Sequence, residues 1–152
     1  MQDIQATEIG SNETPARLKP LVQKHGICYE VWPCVLLVRD RLVKVGFTLD
    51  LCGASEDGDH RVTPGSPQGT ATLEALRQIA EASLPRQTNG VRCDVQPDSG
   101  LHFSPRRRFR PEVVLSIIIL HRDNFERPVD ASEEGCLKQI CKKLQELGVP
   151  GN

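Results

Sequence analysis

Net charge is the first thing this sequence lacks. Its 19 Lys and Arg residues meet 20 Asp and Glu, a formal balance of −1 over 152 residues. That balance excludes a global field able to gather nucleic acid or an anionic membrane, and leaves room only for a local patch. Long apolar runs are missing too. The longest, Val113 to Leu120, is eight residues broken by Ser116, far short of the roughly 20 that span a bilayer. The opening residues Met-Gln-Asp-Ile-Gln-Ala-Thr-Glu carry neither a basic n-region nor an apolar h-region, so no secretory signal is expected. The chain reads as soluble and cytoplasmic.

The strong chemical signatures are absent as well. No Cys-x-x-Cys or His-x-x-x-His spacing occurs, which removes the usual zinc patterns. Gly65-Ser-Pro-Gln-Gly69 has the wrong spacing for a phosphate loop and no lysine, and no Gly-x-Ser-x-Gly elbow exists. No cofactor is called for. Six cysteines (Cys28, Cys34, Cys52, Cys93, Cys136, Cys141) are many for such a chain. Without an export signal they are expected as reduced thiols, acting mostly as small hydrophobes. Cys136 and Cys141 sit about 140° apart on a helix and flank its apolar stripe, so they read as packing residues.

What remains is pattern. A chain of this length buries roughly 68–70% of its unfolded surface and folds without staples. Residues 1–12 show no periodicity and are expected as a flexible arm, with one domain over 13–149. Thr14 and Pro15 open a first helix that Gly26 ends, and Pro20 is expected to kink or shorten it. An extended stretch, Ile27 to Arg39, contains Pro33, which predicts an edge strand or a bulge. Val43, Val45, Phe47, Leu49 and Leu51 alternate with Lys44, Gly46, Thr48 and Asp50, the period of a half-buried strand. A turn at Asp40-Arg41 joins the two as a hairpin. A second helix is predicted over Ala71 to Leu84. A strand from Val91 follows, then a turn at Pro97-Asp98-Ser99-Gly100 and a short strand, Leu101 to Phe103. Glu112 to His121 reads as a strand buried on both faces. Asp130 and Glu133 form a capping box for a last helix with Leu137, Ile140, Cys141, Leu144 and Leu147 as its stripe and Gly148 as its stop. The prediction is an α+β fold in the order α-β-β-α-β-β-β-α, three helices on a mostly antiparallel sheet of about five strands.

Two loops concentrate charge. His102-Phe-Ser-Pro-Arg-Arg-Arg-Phe-Arg-Pro111 carries Arg106, Arg107, Arg108 and Arg110 beside Phe103 and Phe109. Guanidinium forks match phosphate oxygens and rings stack on bases, so this loop is the candidate contact for an anionic ligand or nucleic acid. The long stretch Gly53 to Gly69 holds Asp57, Asp59 and His60, a candidate set for a hard divalent cation, with Glu56 as a possible base. Asp50, Glu56, Asp57 and Asp59 match the four arginines in number, so the loops would neutralise each other if they met. Cys52, at the end of a strand, is a third candidate, a nucleophile needing His60, His102 or His121 as base. His121 itself reads as a hydrogen-bonded strand-end residue.

From Ala71 onward, the expected order α-β-β-β-α resembles the double-stranded-RNA-binding domain in topology alone. That family starts its last helix with lysines, where this chain has Asp130, Glu133 and Glu134, so none of its binding residues carries over. With no complete catalytic motif, the function expected is that of a non-enzymatic binding or interaction module. Its contacts would be the arginine loop, or a second copy through an exposed sheet edge or helix face. The alternative is a small metal-dependent hydrolase built on the acidic loop.

Overall fold

A computed structural model describes residues 15–53, 67–86, 89–98 and 113–151. Within them, α1 spans residues 15–25 and begins at Pro15, where the missing N–H costs nothing. The helix runs unbroken through Pro20, so the expected interruption does not occur. Leu18 and Val22 are buried, and Gly26 closes the helix at φ +56°. The hairpin follows as β1 (Cys28–Val38) and β2 (Arg41–Gly53), then α2 (Pro67–Ser83), β3 (Val91–Asp98), β4 (Val113–His121) and α3 (Ala131–Glu146).

The four strands form one antiparallel sheet in the order β1-β2-β4-β3. This is the α+β fold expected, with four strands rather than five among the described residues. The short strand expected over Leu101 to Phe103 lies outside them. Pro97 and Asp98, expected in a turn, extend β3 and pair with Leu115 and Val114. β3 is an edge, where a residue without an N–H is tolerated. The likeness to the double-stranded-RNA-binding domain also fails on topology, because β4 has as its second neighbour β2, from the hairpin before α2.

Period-two alternation decides which side chains enter the core. Phe47, Leu49 and Leu51 of β2, and Val113, Leu115, Ile117 and Ile119 of β4, face α1, α2 and α3. The helices answer with Leu18, Leu76, Ile79, Ile140, Leu144 and Leu147, all fully buried. β4 is the interior strand beside β3, and Val114 is buried on its other face as well, which accounts for its nearly continuous apolar sequence. The last helix matches expectation closely. Asp130 accepts the Ser132 N–H at 2.8 Å, and its own N–H donates to Glu133 at 3.4 Å. At the other end Gly148, at φ +84°, allows Gly148 N–H to reach Gln145 and Val149 N–H to reach Leu144, the Schellman pattern. The chain then turns back along β1, where Tyr29 N–H donates to the Pro150 carbonyl at 3.0 Å.

Candidate interaction surface

β1 and β2 do not share a common fate along their length. From Gly46 to Cys52, β2 is paired on both sides, with β1 and with β4. A bulge at Cys34/Val35 shifts the register there, leaving Val45 as the extra residue of β2. Gly46 sits beside it because β4 comes too close for a side chain: a Cβ would lie 1.9 Å from the Ile119 carbonyl oxygen. Beyond that point, residues 35–44 have no strand partner but each other and leave the sheet as a two-stranded ribbon, held at its base where the Lys44 carbonyl accepts the Val129 N–H at 2.9 Å. Its turn is Arg39-Asp40, one residue earlier than expected, with φ of 50° and 66°. Positive φ at both central positions is the type I′ turn, whose twist matches the flanking strands but which favours Asn-Gly.

Apart from Arg39, Asp40, Arg41 and Lys44, the ribbon is apolar, and together with the β1 stretch that leads into it from Val31 it is open to solvent. Val31, Val35, Leu36, Leu37 and Leu42 are five of the six large hydrophobic side chains exposed among the described residues, Leu37 at 68% and Leu42 at 78%. Opposed residues share a face, so Leu37 and Leu42 stand together on one side, and Leu36 and Val43 on the other. No charged residue interrupts Val31 to Val38. Among the described residues, no strand pairs with the outer edge of β1 over the same stretch. Tyr29 points its N–H outward to Pro150, and among the described residues the Tyr29–Gly151 bridge is the only pairing on that edge. Alternation then places the N–H groups of Val31, Val35 and Leu37 outward too, with Pro33 occupying the one outward position that has none to offer.

The residues singled out for chemistry do not assemble into a site among the described residues. Arg106, Arg107, Arg108 and Arg110 lie outside them, as do Asp57, Asp59, His60 and His102. Asp50, grouped with the acidic loop by its charge, is instead a buried residue within β2. Its partner across the ladder is Glu30, also buried, and Ser116 Oγ donates to Asp50 Oδ1 at 2.7 Å. These three line the sheet face opposite the core, a polar strip that the alternation of β2 signalled only on the Asp50 side. No group of three His, Cys, Asp or Glu able to hold a metal occurs among the described residues.

Cys52 is fully buried, and its thiol donates to the Asp50 carbonyl at 3.9 Å. It aligns with Val114, whereas His121 stands seven residues further along β4, roughly 23 Å at the rise of a strand. The Cys52–His121 pairing is excluded. His121 behaves as the hydrogen-bonded strand-end residue expected. Its Nδ1 accepts the N–H groups of Asp123 and Asn124 at 3.3 and 3.1 Å, and Arg127 Nη1 lies 2.8 Å from Nε2. Arg127 in turn pairs with Asp130, so this chain of contacts fastens the β4 turn to the start of α3. The structure also joins two residues that sequence spacing cannot connect, Cys93 and Cys136, with sulfurs 3.3 Å apart.

Comparison with known protein families, curated proteins and solved structures finds no match to this chain. The class is therefore defined by architecture alone, an α+β layer with an apolar hairpin standing out from its sheet. None of the helices among the described residues is long and apolar enough to cross a membrane.

Proposed function

We propose that this protein is an interaction module that self-associates through the outer edge of β1. The observation that carries the reading is the concentration of exposed apolar side chains on one ribbon that leaves the sheet. Strand edges with free N–H and C=O groups pair with other strands unless charge, proline or cover prevents it. Here, among the described residues, the cover ends near Tyr29, and charge is missing from Val31 to Val38. A second copy running antiparallel about a two-fold axis would add hydrogen bonds at Val31, Val35 and Leu37 and bury the leucines of both ribbons. It would do so without opposing like charges.

Sedimentation or light scattering on the full chain tests this. The expected result is a dimer at micromolar concentration, converted to monomer by Val35→Lys combined with Leu37→Lys. Both positions are exposed, so circular dichroism of the variant should match the parent. A monomer at all concentrations up to about 100 μM, a Kd weaker than about −5.5 kcal/mol of association, would overturn the proposal.

A further inference from the structure

Cys93 on β3 and Cys136 on α3 bring their Sγ atoms to 3.3 Å, close enough for one thiol to donate to the other. A disulfide holds its sulfurs at about 2.05 Å, so closure requires an approach of roughly 1.2 Å. β3 is an edge strand with no neighbour on its far side among the described residues, which leaves it room to make that adjustment. Both residues line open grooves, Cys136 as a buried side chain and Cys93 as a half-buried one. One, of about 250 Å³, is lined by Asn89, Val91, Ser132, Gly135 and Cys136. The other, of about 350 Å³, is lined by Val91, Cys93 and three arginines, Arg86, Arg92 and Arg122.

Gly135 lines the first of these grooves. Glycine weakens a helix interior, yet a Cβ at this position would meet nothing within 4 Å, so packing does not require it.

We propose that Cys93 and Cys136 form a dithiol site that reduces small anionic disulfides and closes into a bridge between β3 and α3. In the first step the Cys136 thiolate attacks one sulfur of the incoming disulfide. That S–S bond breaks, one thiolate leaves and takes up a proton, and Cys136 is left in a mixed disulfide. Cys93 then gives its proton to solvent, and its thiolate attacks Cys136 Sγ and expels the second thiolate. Two electrons pass from the protein to the small disulfide, and two small thiols are released. Either sulfur can donate in this contact; with Cys93 as donor the Cys136 thiol is lowered from its ordinary value, against the opposing effects of burial and Glu133, and attack by Cys136 comes first. Cys93 is raised by the same hydrogen bond, by burial, and by the charges of Cys136 and Asp94. Capping Cys136 removes its charge and frees Cys93 to ionise. On the Cys93 side Arg92 is paired with Asp94, and the positive excess of the rim comes from Arg86 and Arg122, which selects for negative charge on the disulfide.

The reduced full chain, treated with oxidised glutathione and then alkylated, tests the proposal by peptide mass analysis. The expected product links the Cys93 and Cys136 peptides, leaves Cys28, Cys34, Cys52 and Cys141 alkylated, and is reversed by dithiothreitol. The linked form should melt on the order of 10 °C higher, because the bridge closes a long loop. Cys93→Ser should trap glutathione on Cys136. Cystamine, a cationic disulfide, should react roughly tenfold more slowly at low salt. Cys93 and Cys136 remaining as thiols, or a bridge between other cysteines, would overturn the site. Faster capping of Cys93 in Cys136→Ser would overturn the assigned order of attack, and equal rates with cystamine the preference for anions.

Discussion

The two edges of the sheet meet the same hazard with different means. β3 carries Arg92 and Asp94, paired at 2.7 Å, then exposed Gln96 and Pro97. Charge and a missing N–H both discourage another strand from adding there. α3 packs behind this edge, touching it through Cys93 and Cys136. β1 is as exposed over Val31 to Val38 but has no charge there, and its two guards, Pro33 and the bulge, leave Val35 to Val38 open. One edge carries guards against pairing; the other, among the described residues, leaves its apolar stretch with few. An exposed apolar stretch is costly to keep soluble, so its presence on one edge alone is the informative difference.

The largest expected effect separates the two ends of β2. Leu49→Ala removes a fully buried side chain and should cost about 3 kcal/mol in a urea melt. Leu42→Ala, at the projecting end of the same strand, should change monomer stability by less than about 0.5 kcal/mol. Equal losses would show that the ribbon is packed rather than free. A smaller effect is expected at the ribbon's tip. Arg39 and Asp40 both hold left-handed backbone, so replacing them with Asn and Gly should stabilise the protein by about 1 kcal/mol without altering association. On the β3 side, Gly135→Ala should stabilise by about 0.5–1 kcal/mol in the same melt, since the added Cβ meets nothing.

The smallest effect is one of pH, and it belongs to the α3 side. The Asp130 carboxyl is held below its ordinary value by the Ser132 N–H first, and then by Glu133 and Arg127. Its stabilising contribution is present above the unfolded-state value and is lost as pH falls through the folded one, so the loss begins near pH 3.8. Glu133 is raised, mainly by burial, and therefore contributes in the opposite sense, favouring the fold as acid protonates it. Asp130→Asn keeps the cap and removes only the first contribution. The variant should lose less stability than the parent between about pH 5 and pH 3 in thermal melts. An unchanged pH profile would show that the capping box does not set the acid response.

Much of the fold was legible because it depends on local pattern. The alternation through Phe47, Leu49 and Leu51 identified the core face of β2, and Asp130, Glu133 and Gly148 marked both ends of α3. The boundaries that went astray are those where neighbours override local preference. Pro97 reads as a turn residue, yet it extends β3 because an edge strand accepts it. Pro20 sits inside α1, and Asp50, read on the polar side of the β2 alternation with its charge counted alongside the acidic loop, is buried by the sheet opposite Glu30. The candidate surface was legible only as a general expectation of an exposed sheet edge. Which edge it is depends on strand order, and strand order depends on pairings between residues as far apart as Leu49 and Ile117.

By itself, then, the sequence determined the α+β class, the strand and helix faces, and the absence of a broad field for polyanions. Those follow from side-chain period and charge count, which are properties of neighbouring residues. Tertiary structure alone decided that the hairpin tip stands clear of the sheet, that Cys52 lies far from His121, and that Cys93 meets Cys136. Each is a matter of distance between segments remote in the chain, which the packing of strands and helices sets and no local spacing encodes.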